Sequence, residues 1–184
     1  MLDPTLARQL KLIGFDVDGV LTDSGIYLGT VGDHPVELKR FHIQDGLGLR
    51  MLKEAGLTVV FASARASASS ELRGRELKVD EVLQDKKKLP VFEAMLARRG
   101  ISWEETAFVG DDLPDLPLLR RAALPIAVAN AVPEIKEAAR VVTERAGGQG
   151  AAREVAELIL EARGQWQPLV KKYFIERGEC RQGT

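Results

Sequence analysis

The sequence is poor in the residues that build disulfides and soft metal sites. It has one cysteine, Cys180, and two histidines, His34 and His42, among 184 residues. One cysteine excludes an intrachain disulfide, a cysteine-based zinc site and an iron–sulfur cluster held by this chain alone, and two histidines cannot form a multi-histidine site. A metal bound here is therefore expected to be a hard cation with oxygen ligands.

The sequence also lacks an excess of either charge and lacks long apolar segments. The 26 Lys and Arg residues nearly balance the 27 Asp and Glu residues, which gives a net charge of -1. This balance offers no overall attraction for nucleic acid or an anionic membrane. The first residues, MLDPTLARQLKLIGF, mix acidic and basic side chains with short apolar stretches, unlike a signal peptide or a membrane span. We therefore expect a cytoplasmic protein with neither nucleic-acid nor membrane partners.

Length and composition favour one folded domain. Hydrophobic residues make up 45% of the chain and charged residues 29%, which is ordinary for a globular protein. The length leaves room for one domain with a substantial core. We expect residues 1–175 to form this domain and residues 176–184 to form a flexible tail.

Short apolar runs alternate with stretches of helical periodicity. The runs that are short enough to be strands lie at residues 12–15, 57–61, 79–83, 106–109, 126–128 and 141–143. Amphipathic stretches lie between several of them, for example at residues 47–52 and 89–96, and further helices are expected at residues 151–162 and about 166–174. The alternation predicts an α/β fold with a three-layer, Rossmann-like parallel sheet covered by helices on both faces.

Residues 26–41 interrupt this alternation. Two partly alternating runs joined by a Gly-Asp turn predict a β-hairpin that projects from the sheet. Its apolar side chains would leave strand edges and apolar surface in solvent, which favours a symmetric oligomer in which hairpins pair. The hairpin and one helix fill the chain between the first two predicted sheet strands, so no cap domain fits there.

Carboxylates follow two of the predicted strands. Asp16 and Asp18 end the first strand, and Asp111, Asp112 and Asp115 follow the run at residues 106–109, with a glycine close by in both cases. Ligands of open α/β sheets bind at the carboxyl ends of strands. Acidic groups that meet there without a histidine would repel one another unless a divalent cation lay between them, which predicts a magnesium site. An ordinary turn is the alternative at Asp16 and Asp18, and a helix cap at Asp112 or Asp115.

Two further features suit a phosphoryl group. Ser63 and Arg65 offer a hydroxyl and a guanidinium after the strand at residues 57–61, and a lysine run, residues 86–88, opens the helix after the next strand. A hydroxyl, a fixed cation, a carboxylate nucleophile and an oxygen-ligated metal are together the parts that hold and transfer a phosphoryl group. Taken alone, Ser63 or the lysine run would more often be an ordinary structural feature, and the lysine run would then be a solvated helix start.

The order Asp-x-Asp-Gly, strand-end serine, lysine and Gly-Asp-Asp-x-x-Asp resembles the haloacid dehalogenase superfamily of aspartate-nucleophile phosphatases. The resemblance implies that Asp16 attacks phosphorus to form an aspartyl phosphate, while Asp18 protonates the leaving alkoxide and later deprotonates water. It also implies that Mg²⁺ binds the Asp16 carboxylate, the Asp18 backbone carbonyl and Asp111. Ser63 and Lys88 would complete the phosphate cradle. Superfamily ATPases usually carry threonine at position 18 and dehalogenases lack this second acid, so phosphate-ester hydrolysis is favoured.

Residues 16–154 are similar to the subgroup that dephosphorylates 3-deoxy-D-manno-octulosonate 8-phosphate (KDO 8-phosphate), through the segments DVDGVLTD, ELKRFHIQDGLGLR, GDDLPDLPLL and AGGQGAARE. The similarity implies release of KDO and inorganic phosphate in lipopolysaccharide precursor synthesis. It implies that substrate is contacted by His42, Ile43, Gln44, Asp45, Gly46, Arg50, Arg65, Arg73 and Lys88. Several guanidiniums suit a substrate that carries both a carboxylate and a phosphate. Arg50 and Arg73 could instead be solvent-facing helix residues.

The chain departs from the usual subgroup pattern at a few positions. Ser63 and Ala64 replace a Thr-Gly pair, Ser24 replaces a glycine, and Gln149 stands where arginine is common. Serine retains the hydroxyl, so we expect the reaction to be preserved. The methyl group of Ala64 and the missing cation at Gln149 bear on which sugar is bound.

The resemblance leaves alternative functions open. A close relative acts on the nine-carbon KDN 9-phosphate, although Arg65 and the Asp45-Gly46 pair favour the eight-carbon acid. A catalytically idle, oligomeric binding module would be expected to have lost one of the motif aspartates, and all are present. A phosphomutase would need a cap domain. The subgroup forms tetramers, which implies a homotetramer in which a neighbouring subunit covers each active site.

Overall fold

A parallel sheet organises the part of the chain that the structure, a computed structural model, describes. The described residues are 2–178, so Cys180 and residues 179–184 of the predicted flexible tail lie outside them. Within residues 2–178 the strands are β1 (Leu12–Phe15), β2 (Tyr27–Val31), β3 (His34–Leu38), β4 (Thr58–Ser63), β5 (Glu81–Gln84), β6 (Thr106–Gly110), β7 (Leu124–Ala127) and β8 (Val141–Val142).

The helices alternate with these strands as the sequence periodicity predicts. They are α1 (Pro4–Gln9), α2 (Ile43–Glu54), α3 (Ala68–Leu77), α4 (Lys88–Arg99), α5 (Leu116–Leu119), α6 (Pro133–Ala138), α7 (Ala151–Ala162) and α8 (Trp166–Glu176). Short helical turns occupy Val17–Leu21, Trp103–Glu105 and Leu113–Asp115. Over residues 2–178, every helix is too short or too polar to cross a membrane.

The six-stranded sheet has the order β5-β4-β1-β6-β7-β8, and all its strand pairs are parallel. The connections on the two sides of β1 run in opposite directions along the sheet, so the usual right-handed crossover puts α2 and α3 on one face and α4, α5 and α6 on the other, in agreement with the contacts within each group. The predicted three-layer, Rossmann-like sheet is therefore confirmed. The chain leaves β1 towards β4 on one side and later returns to β6 on the other, so the carboxyl ends of β1 and β6 form the switch point where such sheets bind ligands.

The core lies between the sheet and its helices. Every residue of β1 and β6 is buried, as expected for strands covered on both faces. The Phe92 ring of α4 stacks on Trp103 and meets Phe108 edge to face, with centroids 5.4 and 5.5 Å away. Gly14 makes room for this cluster, because a Cβ there would lie 2.7 Å from the Phe108 ring.

The predicted hairpin forms a separate two-stranded sheet from β2 and β3. Gly32, at a φ of +60°, opens the two-residue turn between Val31 and His34, a backbone conformation that glycine adopts without cost. Leu28 is 78% exposed and Leu38 60%. Between β1 and β4 the chain therefore forms a tight turn, this hairpin and α2, in agreement with the prediction that no cap domain is inserted there.

Candidate active site

Strands β1 and β6 end side by side and bring their acidic residues together. The Asp16 amide donates a hydrogen bond to the Val109 carbonyl (2.9 Å), which holds the exit of β1 against β6. Carboxylate oxygens of Asp16, Asp111 and Asp115 lie within 4.8 Å of one another. The two acidic strand ends therefore meet, as their positions in the sequence predicted, and the cluster also includes Asp115.

Asp112 and Asp115 have different roles. The Asp112 carboxylate accepts a hydrogen bond from the Leu113 amide (2.8 Å) and caps the short turn that follows, so the helix-cap interpretation is correct there. It is wrong for Asp115, whose side chain is buried and accepts a hydrogen bond from the Asp111 amide (3.1 Å) through Oδ2. Gly110 permits this close approach, since a Cβ there would lie 2.6 Å from the Cβ of Asp115.

Lys88 projects from the first turn of α4 into this cluster. Its Nζ contacts Asp16 Oδ1 and lies 2.7 Å from Asp115 Oδ1, and the residue is 4% exposed. The solvated-helix interpretation of the lysine run is therefore wrong for Lys88. The adjacent Lys87 amide donates a hydrogen bond to the Asp85 carboxylate (2.7 Å) in the turn before α4. A buried ammonium between two carboxylates is stable because each charge has a partner.

One lysine does not neutralise the buried Asp16 and Asp115 together with the half-buried Asp111. Burial raises the pKa of Asp16 to about 7 although the Lys88 charge opposes the rise. Burial also raises the pKa of Asp111 and that of Asp115 to about 7, and repulsion from neighbouring carboxylates adds to both shifts. These shifts record a cost of ionising the cluster that a further cation would remove.

The donor set fits a hard divalent cation. Asp111 Oδ1 is buried and makes no hydrogen bond within residues 2–178, and the Asp111 carboxylate belongs to the cluster with Asp16 and Asp115. An unpartnered buried carboxylate oxygen is costly unless a cation contacts it. Oxygen donors of this kind suit Mg²⁺.

The aspartates open into a cleft of about 270 Å³ at the carboxyl edge of the sheet. Ser63 contributes from the end of β4, where its Oγ accepts a hydrogen bond from the Arg65 amide (3.1 Å). The cleft is lined by Asp16, Asp18, Ser24, Ser63, Ala64, Arg65, Lys88, Asp111, Asp112, Pro114 and Asp115. The structure thus brings together the candidate nucleophile, general acid, hydroxyl and lysine, with Arg65 at the rim.

Asp18 lies on the turn after β1. Gly19, at a φ of +104°, carries this turn so close to Asp111 that a Cβ would come 1.9 Å from its Oδ2. The Asp18 side chain is 22% exposed, and its two oxygens lie 2.7 and 3.0 Å from Lys39 Nζ. Sequence reasoning missed Lys39, whose signal was a lysine between the apolar Leu38 and Phe41 at the end of the hairpin.

The remaining predicted substrate contacts lie outside this cleft. His42 precedes α2, and its carbonyl accepts a hydrogen bond from Arg73 (3.4 Å). Asp45 is buried and accepts a hydrogen bond from the Arg153 amide (2.8 Å), and burial raises the pKa of its carboxyl group. His42, Asp45 and Arg73 border a second, smaller depression.

Other predicted contacts are spread further around α2. Ile43 is 77% exposed and Gln44 is also exposed. Gly46 is buried against Arg73, which lies 3.2 Å from the position of a Cβ. Arg50 is exposed and borders another groove together with Glu76. In this chain, these residues and the cleft at Asp16 do not form a single site.

A glycine loop before α7 supports the turn that carries Asp18. The Gly148 amide donates a hydrogen bond to the Val20 carbonyl (3.1 Å), and the Gly147 amide to Asn130 Oδ1 (2.7 Å). A Cβ at Gly147 would lie 1.7 Å from the Gly19 carbonyl oxygen. This loop and the turn therefore touch backbone to backbone, which explains the glycines without assigning them a ligand.

Comparisons with known proteins point to one family. A profile of haloacid dehalogenase-like hydrolases matches residues 79–155. The 3-deoxy-D-manno-octulosonate 8-phosphate phosphatase KdsC of Salmonella typhi is 39% identical over 162 residues, which cover 88% of this chain and 85% of that protein. The enzyme of the same name from Escherichia coli K12 is 39% identical over 160 residues, or 86% of this chain and 84% of that protein.

Solved structures of phosphatases with the same substrate name are also similar to this chain. The Moraxella catarrhalis KDO 8-phosphate phosphatase, crystallised with a magnesium ion, a phosphate ion and KDO, has a TM-score of 0.87 and 34% identity, covering 92% of this chain and 97% of that one. The cobalt-bound Haemophilus influenzae phosphatase has a TM-score of 0.79 and 34% identity, covering 86% and 92%. Both similarities extend over most of the chain.

Proposed function

This chain belongs to the haloacid dehalogenase-like hydrolases and, within them, to the KDO 8-phosphate phosphatase family, and from that premise we propose that it hydrolyses KDO 8-phosphate to KDO and inorganic phosphate. It is a phosphoric monoester hydrolase. The observation that carries the proposal is the Asp16–Lys88–Asp115 ion-pair chain beside Asp111 and Asp18 in one cleft. A role in lipopolysaccharide precursor synthesis follows from this substrate.

The proposed reaction has two steps that the cleft residues divide between them. The Asp16 carboxylate attacks phosphorus, the bond from phosphorus to the sugar oxygen breaks, and Asp18 donates a proton to the departing alkoxide. Water then attacks the aspartyl phosphate while Asp18 accepts its proton, which releases phosphate and restores Asp16. Ser63 and Lys88 hold the phosphoryl oxygens throughout, because both line the cleft beside Asp16.

Mg²⁺ is the proposed cofactor. We assign its binding to the Asp16 carboxylate, the Asp18 carbonyl and Asp111, whose carboxylate lies in the cluster and has one buried oxygen without a hydrogen bond. Bound there, the ion would offset the repulsion between carboxylate and phosphate. Asp115 holds Lys88 and the Asp111 amide, so we assign it to the support of both groups.

Recognition of the sugar acid is proposed to use Arg65 in the cleft and a contribution from a neighbouring subunit. The exposed apolar side chains of the hairpin, Leu28 and Leu38 among them, favour a homotetramer built through hairpin contacts. A shared active site would bring together the substrate contacts that one subunit keeps apart, namely Arg50, Arg73 and residues 42–46. The cytoplasmic location and a single domain over residues 1–175 stay predictions.

A phosphate-release assay tests the substrate. With Mg²⁺ present, we expect kcat/KM for KDO 8-phosphate to exceed that for KDN 9-phosphate, and both to exceed that for glucose 6-phosphate. Glucose 6-phosphate has no carboxylate, and loss of the guanidinium–carboxylate contact is worth on the order of 2 kcal/mol. Asp16→Asn is the control, because the amide keeps the shape of the side chain but is a very poor nucleophile. Equal kcat/KM for all three esters, or steady turnover by Asp16→Asn, would contradict the proposal.

A further inference from the structure

A second lysine is buried at the edge of the cleft. Lys39 follows β3 at the end of the hairpin, and its side chain has no exposed surface. A buried ammonium is costly unless several acceptors surround it. Its Nζ lies 2.7 and 3.0 Å from the two Asp18 oxygens, 3.3 Å from Ser70 Oγ and 3.7 Å from Glu37 Oε1. Asp18 therefore provides most of the favourable contacts that offset the cost of burying the Lys39 ammonium.

Asp18 has little else to fix its orientation. It sits on the turn with φ and ψ of -82° and 101°, outside helical geometry, so no regular helix restrains its side chain. Across residues 2–178, Lys39 is the side chain that donates a hydrogen bond to its carboxylate. Oδ2 accepts a hydrogen bond from the Lys39 ammonium, and Oδ1 lies 2.7 Å from the same ammonium but makes no hydrogen bond within residues 2–178. These two contacts with one fixed charge restrict the orientation of the carboxylate.

We propose that Lys39 is the positioning residue for Asp18 and holds its carboxylate in the orientation needed for proton transfer to the leaving group. The inference rests on the proposed phosphatase function, in which Asp18 is the general acid and base. Lys39 itself neither gains nor loses a proton in the reaction. Its fully buried side chain is absent from the described cleft lining, so it acts through Asp18 and not on substrate.

Lys39 is itself held by groups from other elements. The Glu37 carboxylate accepts hydrogen bonds from Ser67 Oγ (2.7 Å) and Arg65 (2.8 Å), and the Ser69 hydroxyl bonds to the Glu37 carbonyl (2.9 Å). The Ser67 hydroxyl, together with the Lys39 and Arg65 charges, holds the pKa of Glu37 below its usual value. These contacts tie the end of the hairpin to α3 and to the loop after β4. The backbone that carries Lys39 is therefore held in place beside Asp18.

The test compares two aryl phosphates that differ in their need for a proton. Phenyl phosphate loses a basic phenolate that benefits from protonation, whereas 2,4-dinitrophenyl phosphate loses a weakly basic one that does not. The ratio kcat/KM reports the steps up to transfer of the phosphoryl group to the enzyme. We expect Lys39→Met to lower kcat/KM for phenyl phosphate on the order of 10²-fold and that for the dinitrophenyl ester less than about threefold.

Two further variants complete the experiment. Lys39→Arg keeps the charge and is expected to recover part of the loss on phenyl phosphate. Lys53→Met is the matched control, since it removes a lysine–aspartate pair (Lys53 to Asp80, 3.1 Å) near the end of α2, at the opposite edge of the sheet. We expect Lys53→Met to leave kcat/KM unchanged for both phenyl phosphate and 2,4-dinitrophenyl phosphate.

The outcomes separate this inference from the proposed function. A wild-type enzyme that releases phosphate from neither aryl ester nor KDO 8-phosphate would overturn the phosphatase assignment and the inference with it. If KDO 8-phosphate alone is hydrolysed, Lys39→Met is compared with the wild type on that ester, whose alkoxide leaving group needs a proton, and an unchanged kcat/KM would overturn the positioning role. If the wild type is active, equal losses on both esters in Lys39→Met would overturn the positioning role alone, because a merely structural defect does not discriminate between leaving groups. Should Lys39→Met fail to fold by circular dichroism, the same comparison in Lys39→Arg decides the question.

Discussion

Raising the pH is expected to destabilise the metal-free protein, and Mg²⁺ is expected to oppose this loss. The cause is the buried carboxylate cluster of Asp16, Asp111 and Asp115, in which burial raises each pKa from an ordinary value of 3.8 to about 7. Between those two values the folded state holds protons that the unfolded chain has already released. The free energy of unfolding therefore falls as the pH rises towards and through 7.

The size of the effect can be worked out for one carboxyl group. For Asp16, a folded pKa of about 7 against 3.8 in the unfolded chain removes about 3 kcal/mol of stability between roughly pH 5 and pH 8. In a chain of this length, such a loss lowers Tm by roughly 5 to 10 °C. Below about pH 3, which lies under both pKa values, Asp16 is protonated in both states, so the contribution is fully present there and constant.

Thermal unfolding in chelator, and in excess Mg²⁺, across roughly pH 5 to 8 measures this dependence. Mg²⁺ competes with protons for the same carboxylates, so we expect it to raise Tm more at about pH 8 than at about pH 6. Asp111→Asn removes one acid from the cluster and is expected to flatten the pH dependence. A metal-free Tm that stays constant or rises across this range, or a Mg²⁺ effect independent of pH, would refute the reasoning.

Three further substitutions test the packing around the site. Gly147→Ala is expected to lower Tm and phosphate release, because its Cβ would lie 1.7 Å from a backbone oxygen, whereas Gly29→Ala, with nothing within 4 Å, is expected to change neither; equal effects would contradict this. Ser24→Gly is expected to raise Tm by a few degrees, since the residue has a φ of +63° and a side chain there costs about 1 kcal/mol; an unchanged or lower Tm would argue against strain. Leu38→Asp on the exposed hairpin is expected to lower the oligomer mass measured by light scattering, and an unchanged mass would exclude Leu38 from the interface.

The sequence predicted the sheet and the position of the site well because both depend on local signals. Runs that are apolar on both faces identify strands of a covered parallel sheet, and the bounds predicted for β1 and α7 agree with the structure. Asp16 and Asp111 directly follow strands, so the rule that ligands bind at the carboxyl ends of strands was enough to place them together.

Pairing between distant residues was harder to predict. Asp115 followed a turn and had the features of a cap, and only the close packing at Gly110 shows that its carboxylate points inward. Lys39 belonged to an exposed-looking hairpin and is separated from Asp18 by 21 residues. Neither spacing nor periodicity indicates that such a lysine is buried, because its burial depends on how the hairpin leaves the sheet.

The buried charges at the cleft explain why these two lysines and a metal are needed together. Asp16, Asp18, Asp111 and Asp115 supply four carboxylates when ionised, and Lys88 and Lys39 supply two positive charges. A divalent cation at Asp111 brings the sum to zero, whereas the loss of either lysine leaves an excess negative charge. That excess would repel a phosphate dianion and also misplace the carboxylate that the lysine holds. In the proposed mechanism, loss of Lys39 is therefore expected to affect the orientation of Asp18, the assigned general acid, while loss of Lys88 removes a cation that contacts Asp16, the assigned nucleophile.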